Sequence, residues 1–154
     1  MLNQVLVALD ETKESENAIQ YAIDFIAPAG TIVLTRIISP QEIVEVLEET
    51  PYETIGFDSA ESGSSTNKKL SDAEHYLASL ANAMPESMKT EIQVQSGRPD
   101  IEIVKIAENK HVQAIIMCSG CYPTLKYWRL GTVAAKVLKS AHCPVVLIPH
   151  QHEH

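Results

Sequence analysis

The sequence predicts an α/β domain: a doubly wound, five-stranded parallel sheet with helices on both faces. Five short apolar runs, Val5 to Leu9, Ile32 to Ile38, Thr90 to Gln95, Val112 to Met117 and Pro144 to Ile148, alternate with stretches whose apolar residues recur at helical spacing. Strands joined through helices run parallel, and their crossovers are right-handed, so the helices come to cover both faces of one sheet. With 154 residues, 45% of them hydrophobic, the chain has the size of one domain and enough apolar surface for a core without disulfides or a structural metal.

The first run is followed by Asp10, Glu11 and Thr12, which suit a turn and a helix start. Ala18, Ile19, Ala22, Ile23 and Ile26 then mark one helix face until Pro28 and Gly30 stop the pattern. After the second run, residues 39–66 carry Glu42, Glu45, Glu48, Glu49, Glu53, Asp58 and Glu61 with no Lys or Arg, include Pro40, Pro51, Gly56 and Gly63, and run out through the polar stretch SGSSTN. That composition predicts an acidic variable loop, with a short helix over 41–49 at its start. Leu70, Ala73, Leu77, Leu80 and Met84 form the next helix face, ending before Pro85. In the third strand Ile92 and Val94 alternate with polar residues, as in a strand buried mainly on one side. Pro99 suits the first turn of a helix carrying Ile103, Ile106 and Ala107, and the last helix starts near Gly131 with Val133, Ala134, Val137 and Leu138 on its buried face. The domain thus spans 1–149 and leaves a short His-rich tail, 150–154. Ligands on such sheets sit beyond the carboxyl ends of the strands, where the strand order reverses, which places Asp10, Ile37 and Cys118 to Gly120 at the candidate site.

The formal charge of −8, from 12 Lys+Arg against 20 Asp+Glu, gives no general attraction for nucleic acid or an anionic membrane. No stretch approaches the ~20 apolar residues of a membrane span, and the start MLNQVLVALD lacks a secretory pattern, so a cytoplasmic protein is expected. GxGxxG, GxxxxGK[ST], HExxH and GxSxG are all absent.

The segments VLVALDETKESENAIQYA, IIMCSG and GTVAAKVLKSAHCPVVLIP resemble the universal stress protein family, from about Val5 to Pro149. The resemblance implies a flavodoxin-like (Rossmann-like) sheet, a homodimer through the last strand and, in one subgroup, an ATP or AMP site that takes Mg²⁺ with ATP. That subgroup's pattern is Gly, two residues, Gly, nine residues, then Gly and Ser or Thr. Here the same spacing reads Cys118, Cys121 and Gly131-Thr132, so the framework is kept and two glycines are lost. Carried over residue by residue, Asp10 would meet ribose or an adenine amine, and Ile37 would pack near adenine. The stretch Met117, Cys118, Ser119 to Cys121 would meet ribose and the α-phosphate, and Gly131, Thr132 and Val133 the outer phosphates. Each has a plainer reading: Asp10 or Thr132 as a helix cap, Ile37 as core, the thiols as bulk where glycine would let backbone approach a phosphate. Gly120 could rescue the loop by a shifted turn. Glu11 and Thr12 stand where Gly-Ser is common, which makes the first loop less permissive.

Cys118-x-x-Cys121 also fits a redox or metal motif, although zinc would need about two further ligands. Cys143 reads as a small core residue, and the C-terminal histidines lack a rigid frame for a metal. Lys126, Tyr127, Trp128 and Arg129 either touch a ligand or pack over a helix end. The sequence therefore points to a noncatalytic stress-response homodimer with an adenine-nucleotide crevice. The alternatives are a nucleotide-independent module presenting its surface to protein partners, and a redox- or metal-responsive Cys118/Cys121 site. Slow ATP hydrolysis would require a positioned water and a metal, and no residue stands out as its base.

Overall fold

The computed structural model describes residues 2–40, 42, 59–119 and 131–149. Its strands are β1 (Leu2–Leu9), β2 (Ile26–Ile38), β3 (Lys89–Ser96), β4 (Ala114–Cys118) and β5 (Val145–Ile148). Its helices are α1 (Lys13–Phe25), α2 (Ser59–Asn82), α3 (Pro99–Asn109) and α4 (Thr132–Ser140). The strands form one sheet, ordered β3-β2-β1-β4-β5, and every pairing is parallel. This is the expected doubly wound α/β architecture, with the order reversing between β1 and β4.

Because successive side chains of a strand point to opposite faces, β1 feeds two cores at once. Val5, Val7 and Leu9 pack with Ile116 of β4, Ala18 and Ala22 of α1 and Leu77 of α2. Leu6 and Ala8 pack on the other face with Ile103 and Ile106 of α3 and Ala134 and Val137 of α4. Each fully buried Val, Leu or Ile contributes roughly 1.5–3 kcal/mol relative to exposure, which explains why β1 and β4 read as unbroken apolar runs. On the first face, the Tyr76 hydroxyl donates to Glu16 Oε1 at 2.7 Å and ties α2 to α1.

Two boundaries differ markedly from the sequence expectation. Strand β2 begins directly after α1 and runs through Pro28, since its register with β1 jumps from Leu2↔Ile26 to Gln4↔Thr31. Pro28 lies in that bulge, where its missing N–H breaks no ladder bond, and Ala29 turns the chain at φ 64°. Helix α2 starts at Ser59, inside the segment expected to be loop, against the poor helix propensity of its Ser, Thr, Asn and Gly residues, because a helix already nucleated and anchored by Ala73 and Leu77 gains a backbone hydrogen bond with each added residue. On the edge strand β3 the one-sided burial is partial: Val94 packs against the first core, while Ile92 lies 36% exposed. The short helix expected over 41–49 falls outside the described residues, apart from Glu42.

Ile116 is fully buried in the centre of the sheet. Ile116→Ala should therefore cost about 2–5 kcal/mol, read as a lower urea midpoint at unchanged slope; a loss below ~1 kcal/mol would contradict the packing described.

Candidate functional site

Where β1, β2 and β4 end and α4 begins, the chain leaves an open crevice of about 370 Å³. Its position follows from the winding: α1, after β1, and α4, after β4, pack on opposite faces of the sheet, and the crevice lies where the strand order reverses between them. Asp10, Ile37, Met117, Cys118, Gly131, Thr132 and Val133 all line it. Ser119 is buried behind this wall, where its N–H donates to Ile148 O at 2.9 Å and its carbonyl accepts from Gly131 N–H at 2.6 Å, clamping the start of α4 to the end of β4. Cys121, Gly120, the segment Lys126 to Arg129 and the tail 150–154 lie outside the described residues.

The structure sorts out the capping alternatives. Thr12, not Asp10, is the N-cap of α1, its Oγ1 accepting from Ser15 N–H at 3.2 Å. Asp10 supports that cap from outside, its Oδ1 accepting from Thr12 N–H at 3.0 Å and from the Thr12 hydroxyl at 2.5 Å. Glu11, at the position expected to stiffen the loop, adopts φ 68°, the left-handed conformation that glycine takes freely. At α4 the N-cap is Gly131, which has no side chain to place on the first-turn amides, and Thr132 is the first helical residue. The backbone N–H groups of Thr132, Val133 and Ala134 have no intrahelical acceptor and carry the positive end of the helix dipole. Ile37 packs in the second core, as its plainer reading has it, and also lines the crevice.

The feature that sequence reasoning missed is Arg36. Read as one more residue of an apolar strand, it places a guanidinium with a side chain only 6% exposed at the crevice. Its Nε and Nη2 donate to Glu11 Oε2 at 3.2 and 3.0 Å, and its Nη1 donates to Ile37 O at 2.6 Å and Glu42 Oε2 at 3.3 Å. Nη2 also pairs closely with Glu42 Oε1. Glu42 in turn accepts from Ser39 N–H at 2.8 Å and the Ser39 hydroxyl at 3.1 Å, while its own N–H donates to Ser39 Oγ at 3.4 Å. This is a capping box, and the Ser39-x-x-Glu42 spacing was the signal available in the sequence. Burial acts to lower the Arg36 pKa, yet the hydrogen bonds and charges of Glu42 and Glu11 outweigh it and hold the group above its ordinary value. Burial likewise acts to raise Glu42, but Arg36, helped by Ser39, draws it below the usual carboxylate range.

Of the thiols, Cys118 is half-buried at the end of β4 beside the crevice, whereas Cys143 packs against the second core and its pKa is pushed up by burial. Among the described residues, no group of three His, Cys, Asp or Glu side chains could hold a metal ion. The lining combines a carboxylate acceptor, an apolar wall of Ala8, Ile37 and Met117, and the backbone amides of a helix N-terminus, which favour an anion. The volume lies near the low end of the ~300–1,000 Å³ usual for small-molecule sites.

Comparison with known proteins gives a consistent picture. The model of the universal stress protein family matches residues 1–149. The universal stress protein MJ0577 of Methanocaldococcus jannaschii is 26% identical over 158 aligned positions, covering 96% of this chain and 95% of that protein. The solved structure of MJ0577 superposes with a TM-score of 0.81 over 99% of both chains. A second relative from that organism, universal stress protein MJ0531, is 38% identical over 61 residues, which is 40% of this chain and 36% of its own length. A universal stress protein family member from Arabidopsis thaliana, solved with AMP bound, shares the fold at 17% identity, with a TM-score of 0.60 over 97% of this chain and 92% of its own.

Glu42→Gln should cost roughly 1.5–3 kcal/mol at neutral pH, the usual worth of a hydrogen bond to a charged group. Because the folded-state pKa of Glu42 is lowered, its contribution is present above the ordinary carboxylate value of ~4.3 and is lost as pH falls through the depressed one. Urea unfolding from pH 7 down to 3 should show the variant and the parent converging at the acid end. A gap independent of pH would contradict the ion pair.

Proposed function

Because the chain belongs to the universal stress protein family, we propose that its crevice binds an adenine nucleotide, ATP or AMP, without turning it over. The observation that carries this reading is the convergence on one crevice of Asp10, the wall of Ile37 and Met117, and the first turn of α4 behind its Gly131 N-cap. Asp10 has a carboxylate oxygen beyond the one engaged by Thr12 and offers it to ribose hydroxyls or the adenine amine. Thr132, Val133 and Ala134 offer backbone N–H groups to the phosphates. Mg²⁺ would arrive with the phosphates of ATP, since the described side chains form no metal site of their own. Cys118 narrows the region next to the ribose, so affinity is modest, and Cys118→Gly with Cys121→Gly should tighten it.

In the same reading the protein works as a cytoplasmic stress-response homodimer. Strand β5 supports this, since it closes one edge of the sheet and its Val145, Val146 and Leu147 are only half-buried. Unpaired backbone on a short apolar edge favours addition of another strand, here from a second copy.

Calorimetric titration with ATP and AMP, with and without Mg²⁺, tests the ligand. Thr132→Pro is the sharpest variant, because proline is well tolerated at the first helical position yet removes one candidate phosphate donor. It should weaken ATP about tenfold, from the loss of one charge-assisted hydrogen bond, and leave adenosine unaffected. No heat and no thermal shift at millimolar nucleotide would defeat the nucleotide reading in favour of a nucleotide-independent interaction module. Sedimentation at micromolar concentration should show a dimer of the 17.0 kDa chain; a monomer would overturn the assembly.

A further inference from the structure

A buried charge and a strained residue meet at the mouth of the crevice. Arg36 is almost fully buried, and every N–H of its guanidinium already has an acceptor in Glu11, Glu42 or Ile37. It has no donor left for a ligand. Two of its donors converge on a single oxygen of Glu11, the residue between Asp10 and Thr12 that sits at φ 68°. An L-residue other than Gly, Asn or Asp rarely holds that conformation unless its surroundings impose it. Here the surroundings supply a reason, because turning Glu11 back to an ordinary φ would redirect its carboxylate and leave two buried donors unpaired. The φ of Glu11 also sets the angle between Asp10 and Thr12, and so fixes the turn in which Asp10 Oδ1 accepts from Thr12 N–H.

We propose that Arg36 is a positioning residue for the crevice: through Glu11 it holds the Asp10–Thr12 turn in its left-handed form, and so presents the free oxygen of Asp10 at a fixed place to hydroxyl or amine donors of a ligand. Glu42, locked to Ser39, fixes the other side of the guanidinium. The consequence is a ligand class for this end of the crevice. Among the described residues, Asp10, Glu11 and Glu42 outnumber the one consumed cation, so the β1–β2 end accepts neutral donor groups such as ribose hydroxyls and repels phosphate. A nucleotide is thereby oriented with its phosphates toward α4. This inference rests on the nucleotide reading.

A double-mutant cycle between Arg36→Met and Glu11→Gly tests it, because glycine takes φ 68° unaided and should make Arg36 dispensable for the turn. ATP and adenosine affinities should each fall about tenfold in Arg36→Met, an amount in keeping with the usual cost of such strain, and should not fall further when Arg36→Met is added to Glu11→Gly. Equal losses in both backgrounds would overturn the proposal. Amide hydrogen exchange at Thr12 provides a readout that needs no ligand: it should speed up severalfold in Arg36→Met and be insensitive to that change in the Glu11→Gly background. Unchanged exchange in Arg36→Met sinks the positioning role whether or not nucleotide binds. Absent nucleotide binding in the parent protein, with the exchange pattern as expected, sinks only the ligand assignment. Should Arg36→Met fail to fold, Arg36→Lys, which keeps the charge but not the planar fork, carries the same comparison.

Discussion

Everything in this molecule hangs on the central position of β1, which is paired in parallel with β2 on one side and β4 on the other. Residues Val5, Leu6 and Val7 take part in both ladders, so one stretch of chain satisfies two sets of backbone hydrogen bonds while its side chains supply both cores. Parallel neighbours demand crossovers, and the two sides of β1 are reached by crossovers on opposite faces. The gap where those connections part is the crevice. It is a consequence of winding, present before any particular residue gives it chemistry.

Arg36 shows how that frame converts a local oddity into a site. A guanidinium in a buried strand is costly unless it is fully hydrogen-bonded, and a buried ion pair contributes little net stability compared with well-packed apolar residues. Its partners come from two separate connections, Glu11 after β1 and Glu42 after β2, which have nothing in common in sequence except that the sheet brings them together. The network therefore makes more sense as a device that fixes geometry than as one that adds stability. It lines the same crevice as the N-terminus of α4.

Family membership accounts for the frame, while the lining is this chain's own. The half-buried thiol of Cys118 and the charged turn at Glu11 both occupy positions where the resemblance leads one to expect glycine. The two substitutions have different physical outcomes. Glu11 adopts the glycine-like conformation outright and finds a buried partner for its charge, so the turn survives the change. Cys118 keeps the strand geometry and adds bulk facing the crevice.

Periodicity alone settled the strands, the order in which helices intervene, and the placement of Asp10, Ile37 and Gly131 at strand or helix ends, because burial on two faces of a parallel sheet leaves unbroken apolar runs that local pattern can find. Boundaries escaped it wherever pairing overrode propensity, as at Pro28, which a bulge accommodates, and at Ser59, where helix α2 extends into a polar stretch. The ion network escaped it too. Arg36 lies 25 residues from Glu11 and six from Glu42, and only the register of β1 against β2 makes the first of these distances short. Which residue caps α1, whether Thr132 caps α4, and what shares a crevice with Asp10 are matters of three-dimensional proximity. A one-dimensional pattern holds no record of contacts made across a sheet.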